Sequence, residues 1–202
     1  MSNLLEIAKS SFENSIAVKK EFIENGLTSL IEMAKDLATV LENGKKIFFC
    51  GNGGSCADAQ HLAAELLIRF RSSHNRQALP SISLALDPST LTACGNDYGY
   101  EEIFSRPLEG LCQKGDAIVG LTTSGRSANV LKAFQVAKER GVLTVGFLGG
   151  DGKPASDLCD HILLAPSKIT ARIQECHITA GHTLIELIEE ILTQRGVLVF
   201  KE

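Results

Sequence analysis

The chain has 202 residues, 44% of them hydrophobic and 22% charged, with a formal net charge of -4. That length suits one domain with a substantial core, and the acidic balance argues against a nucleic-acid-binding surface, which is normally basic. Trp is absent and aromatic residues make up only 5%, so the core must rest on Leu, Ile, Val and Ala.

The opening segment, MSNLLEIAKSSFENSIAVKKEF, has no apolar h-region and does not read as a signal peptide. Its apolar residues recur at helical spacing: Leu4, Leu5, Ile7, Ala8, Phe12, Ile16, Phe22 and Ile23. Glu-Asn-Gly at 24–26 predicts a break. Leu27, Leu30, Ile31, Ala34, Leu37, Ala38 and Leu41 then predict a second amphipathic helix, closed by Asn43-Gly44. Two helices before any strand form an extension over residues 1–44. It either makes an oligomer contact or covers the sheet; apolar helix faces alone do not separate these.

From residue 46 the pattern changes. Short apolar runs at 46–50, 81–86, 117–121, 143–148 and 161–165 alternate with helical segments at 56–70, 99–113 and 127–140, and a long helix closes the chain at about 170–194. Continuously apolar strands separated by helices predict a parallel sheet covered on both faces. The expected fold is α/β, a three-layer doubly wound sandwich with a five-stranded parallel sheet in flavodoxin-like order. Residues 45–202 would be its α/β core, and 1–202 one domain. No run approaches the length of a membrane span. The six cysteines show no C-x-x-C spacing, so reduced thiols in a cytoplasmic protein are expected.

In such a sheet a ligand binds at the carboxyl ends of the strands, where strand order reverses. For order 2-1-3-4-5 that point lies between the first and third strands. The loops following them are Gly51-Asn52-Gly53-Gly54-Ser55 and Thr122-Thr123-Ser124-Gly125-Arg126-Ser127. Four hydroxyls in six residues at a helix start suit an anion such as phosphate. A plain capped helix with Ser127 as N-cap is the bland alternative. The first loop only loosely resembles a dinucleotide fingerprint, and no G-K-[ST] follows, so a sugar phosphate fits better than a nucleotide.

His61 and Glu65 are four residues apart on one helix face. The helix is apolar nearly all round, so a Glu on it needs a partner or a task. On the last helix, Gln174 and His182 are eight residues apart and can point to one side. His177, between them, is assigned to packing or a local hydrogen bond.

In this order and spacing, CGNGGS, GND, TSGRSANV and RIQECH resemble the SIS (sugar isomerase) domain. Glu65 with RIQECHITAGH narrows the resemblance to the phosphoheptose isomerase family, and it covers essentially the whole chain. It implies conversion of sedoheptulose 7-phosphate to D-glycero-D-manno-heptose 7-phosphate, the first step of ADP-heptose biosynthesis. It implies a phosphate on Ser55, Thr122, Thr123, Ser124 and Ser127. The sugar would be lined by Asn52, Gly53, Gly54, Arg69, Asn96, Asp97 and Gln174. Glu65 and His182 would be the proton-transfer pair. In some members zinc is held by positions matching His61, Glu65, Gln174 and His182, and all four residue types are present. No organic cofactor is implied, and homotetramers are.

Two departures stand out: Thr122 where Ser is frequent, and Ala171 where many members carry Asp. The competing readings are another sugar-phosphate aldose-ketose isomerase and a non-catalytic adaptor that binds the bacterial replication initiator. Relatives of the second kind share the Ala before RIQE but lack the Glu and second His kept here.

Overall fold

A computed structural model of the chain describes residues 3–200. It begins with one long helix, α1 (Leu4–Glu42). The expected break at 24–26 does not occur. An added Cβ on Gly26 would lie 2.4 Å from the ring of Phe22. The glycine therefore makes room for an aromatic ring one turn earlier and leaves the helix unbroken. The second half of α1 buries Leu30, Met33, Leu37 and Leu41, each such side chain contributing about 1.5–3 kcal/mol. Leu4, Leu5, Ile7, Phe12 and Ile16 in the first half are exposed.

The remaining elements follow in order: β1 (Ile47–Gly51), α2 (Gly54–Leu67), β2 (Ser81–Ser83), α3 (Pro88–Asp97), α4 (Ser105–Leu111), β3 (Ala117–Thr122), α5 (Ala128–Arg140), β4 (Leu143–Gly149), β5 (His161–Ala165) and α6 (Thr170–Gln194). All strand pairs are parallel, in the order β2-β1-β3-β4-β5, as the apolar runs predicted. Over 99–113 the single expected helix is instead a 3-10 turn at Tyr100–Glu102 followed by α4, and α3 precedes them where no helix was expected. Asp87 sets the start of α3 by accepting from the N–H groups of Ser89 and Thr90, with Pro88 as the first helical residue. The run at 81–86 pairs as a strand only to Ser83.

Alternation along the strands divides the core. Ile47, Phe49, Val119 and Phe147 face α1, α2 and α6. Phe48, Cys50, Ile118 and Leu148 face α3, α4 and α5. Three layers result, and α2 and α6 lie on the same face. Among the described residues no helix is long and apolar enough to cross a membrane.

Candidate active site

Gly51 at the end of β1 is in register with Leu121 near the end of β3. The two post-strand loops therefore leave the sheet side by side. They are joined by an amide pair: Asn52 Nδ2 donates to Asn129 Oδ1 at 2.9 Å, and Asn129 Nδ2 donates to Asn52 Oδ1 at 2.8 Å. The Tyr100 hydroxyl adds a third bond, to Asn52 Oδ1 at 2.9 Å. Asn129 and Tyr100 escaped the sequence reading, although Asn129 stands two residues past the last loop hydroxyl.

Neither site helix begins with a side-chain cap. Gly53, with φ of +57°, precedes α2, and Ser127 precedes α5 without bonding its N–H groups. The bland capping role for Ser127 does not hold. Its hydroxyl lies 2.9 Å from Thr122 Oγ1, which is also 3.4 Å from Ser124 Oγ. Thr122 is buried beneath the loop while Ser124 is exposed, and Ser55 is buried at the start of α2. Uncapped N–H groups beside clustered hydroxyls are suited to an anion.

The second part of the site lies where α2 and α6 meet. A Cβ on Gly181 would lie 2.7 Å from a Leu62 methyl, so the helices approach closely there. Their neighbours, His61 and His182, consequently touch: Nε2 to Nε2 is 2.8 Å, with one ring donating to the other. Glu65 Oε1 is 3.4 Å from His61 Nε2. Burial depresses the basicity of His182; nearby His61 adds to this and Glu65 opposes it. His182 is thereby biased to the neutral form at pH 7. Phe70 packs at its ring, 5.6 Å between centroids.

Gln174, two turns before His182 on α6, reaches the first loop. Its amide rests on Gly54, whose added Cβ would lie only 2.4 Å from Gln174 Nε2. His177, in contrast, is buried away from the site and donates Nε2–H to the Leu148 carbonyl at 3.0 Å; burial lowers its pKa to about 4. Asn96 and Asp97 lie at the end of α3, exposed and bonded to each other at 2.8 Å. Arg69 is exposed just beyond α2. The structure thus groups His61, Glu65 and His182, and places Gln174 at the glycine loop. It shows no contact drawing Arg69, Asn96 or Asp97 into either group.

Among the described residues no set of three or more His, Cys, Asp and Glu side chains is arranged to hold a metal. The two imidazoles sit at hydrogen-bonding distance. Tetrahedral ligands with Zn–N of about 2.0–2.1 Å would stand roughly 3.3 Å apart.

Residues 11–149 match the SIS domain family. The phosphoheptose isomerase of Aquifex aeolicus is 46% identical over 193 residues, covering 96% of this chain and all of that protein. That of Nitratiruptor is 57% identical over 150 residues, 74% of this chain and 79% of that one. Among solved structures, phosphoheptose isomerase from Neisseria gonorrhoeae superposes with a TM-score of 0.87 at 38% identity, covering 93% of this chain and 100% of that one. The Francisella tularensis structure gives 0.89 at 35%, covering 93% and 99%. The chain belongs to the SIS domain family and, within it, to the phosphoheptose isomerases.

Proposed function

We propose that this protein is an aldose-ketose isomerase that interconverts sedoheptulose 7-phosphate and D-glycero-D-manno-heptose 7-phosphate, supplying ADP-heptose synthesis. The observation that carries the reading is the meeting of Glu65, His61 and His182 on the sheet face that α2 and α6 share, with Gln174, from the same helix as His182, resting on the switch-point glycine loop.

The substrate phosphate binds the hydroxyls of Ser55, Thr122, Thr123, Ser124 and Ser127 and the N–H groups opening α2 and α5. Asn52, Gly53, Gly54 and Gln174 line the sugar, with Arg69, Asn96 and Asp97 reaching its hydroxyls. Anchoring the phosphate fixes the far end of the sugar and so orients C1 and C2. Glu65 takes the proton from C1, leaving an enediolate. His182, whose proton affinity burial lowers, accepts the proton of the C1 hydroxyl as the aldehyde forms, and protonates the oxygen on C2. Protonated Glu65, in exchange with solvent, then delivers a proton to C2. No redox partner is needed, since the carbonyl moves within one molecule.

The donor set His61, Glu65, Gln174 and His182 is of the N/O type that zinc accepts, and those residues would hold the ion. When bound it supplies Lewis-acid polarisation of the sugar oxygens. The two imidazole nitrogens, now 2.8 Å apart, would separate slightly for both to ligate.

We read residues 1–202 as one SIS domain with 1–44 as its helical extension. The exposed apolar face of the first half of α1 supports assembly into a homotetramer. All six cysteines are free, the state a reducing cytoplasm maintains.

The test is turnover of sedoheptulose 7-phosphate by Glu65→Gln and His182→Ala. Both variants are expected to keep the wild-type circular dichroism and lose at least a hundredfold in kcat. Near-wild-type rates in either would remove that residue from the chemistry.

A further inference from the structure

Arg76 and Glu189 form a buried ion pair whose position relative to the site gives it a task. Both side chains are essentially inaccessible to solvent, and Arg76 Nε donates to Glu189 Oε1 at 2.6 Å. The rest of the Arg76 fork is spent on main-chain carbonyls. Nη2 donates to the carbonyl of Glu65 at 2.9 Å; Nη1 donates to those of Leu66 at 3.0 Å and Gln77 at 2.9 Å. Glu65 and Leu66 are in the last turn of α2, where helix carbonyls lack intrahelical donors. A guanidinium there both satisfies them and complements the negative end of the helix dipole.

Glu189 stands seven residues after His182 on α6, two turns along the same face. Its other oxygen accepts from Arg71 at 3.2 Å, and Arg71 also reaches Glu186 at 3.3 Å. One planar group therefore holds the backbone of Glu65 at one edge and, at another, the helix that carries His182. The close packing of Leu62 on Gly181 fixes the helix pair beside the histidines, and the Arg76 bridge fixes it beyond Glu65.

We propose that Arg76 and Glu189 are positioning residues that set the placement of Glu65 relative to His61 and His182. This rests on the isomerase reading above. Neither side chain touches substrate. Lysine cannot replace Arg76, because a single ammonium cannot reach three carbonyls and a carboxylate in one plane. Loss of the bridge leaves the phosphate loops, which belong to the β1 and β3 ends, undisturbed.

The decisive variant is the double replacement Arg76→Met with Glu189→Met, which removes both buried charges together and avoids stranding either. It is compared with wild type by kcat and KM on sedoheptulose 7-phosphate and by the imidazole ring signals of His61 and His182 in NMR spectra. The expected result is a folded protein with kcat at least tenfold lower, KM within threefold, and displaced signals from both rings. Arg76→Lys is measured in the same way and decides the matter if the double variant does not fold. Wild-type kcat, or unchanged ring signals, in a folded variant would overturn the proposal. If wild type itself fails to turn over the sugar, the isomerase reading falls, and the ring signals alone decide the positioning role.

Discussion

Replacing Gly54 by Ala should separate stability from activity. A Cβ at this position would lie 2.4 Å from Gln174 Nε2 and 3.0 Å from its Cδ. Ordinary contact begins near 3.4 Å, so the amide must retreat by about 1 Å. Gln174 is a flexible side chain and can do so with little strain on the fold. Gly54 is also the first residue of α2, where Ala is the better helix former by up to about 1 kcal/mol. The melting temperature should hold or rise by roughly 2–4 °C. The displaced amide, however, is the group proposed to line the sugar. A 1 Å misplacement costs on the order of a hundredfold in rate, equivalent to about 2.7 kcal/mol of transition-state stabilisation. Calorimetry with kcat/KM on sedoheptulose 7-phosphate measures both quantities. Activity within twofold of wild type, or a loss that simply follows unfolding, would refute the placement of Gln174. Gly51→Ala is the contrasting case: its Cβ would meet the Ser55 carbonyl oxygen at 2.7 Å. Backbone cannot swing aside, so this variant should lose about 1–3 kcal/mol of stability.

Thr122→Val keeps the shape of a buried residue but removes the hydroxyl shared with Ser127 and Ser124. Michaelis constants should rise about five- to tenfold, with kcat little changed, as expected when ground-state and transition-state anchoring weaken together. His177 should make the fold acid-sensitive. Its folded pKa, about 4, lies below the ordinary 6.5, so the unfolded chain binds the extra proton between those values. The stability contribution is complete above pH 6.5 and is lost as pH falls towards 4, by on the order of 3 kcal/mol. Urea titrations at pH 7 and pH 4.5 should therefore show a smaller loss in His177→Gln than in wild type; equal losses would contradict this.

Sheet order and the pairing of the two loops could be read from the sequence because the three central strands, β1, β3 and β4, are buried on both faces and appear as apolar runs. Asp87-Pro88 was a legible start signal for α3 that the apolar spacing after residue 99 obscured. Gly26 misled because a glycine in a helix looks the same in sequence whether it ends the helix or yields space to a neighbouring ring. His61, Glu65 and Gln174 could be singled out as polar residues on apolar helices. The meeting of His61 and Glu65 with His182 depends on the Leu62–Gly181 approach, which links positions more than a hundred residues apart and leaves no local mark. Arg76 and Glu189 were invisible for a related reason: each alone resembles a solvated surface charge, and only the fold buries them together.

The measurement that bears most directly on the central claim is a proton NMR time course of sedoheptulose 7-phosphate with the wild-type protein in deuterium oxide. The isomerase mechanism predicts appearance of the aldoheptose 7-phosphate with deuterium at C2, from exchange of the Glu65-bound proton, and no product with Glu65→Gln. An unchanged ketose in the presence of folded wild-type protein, with and without added zinc, would contradict it.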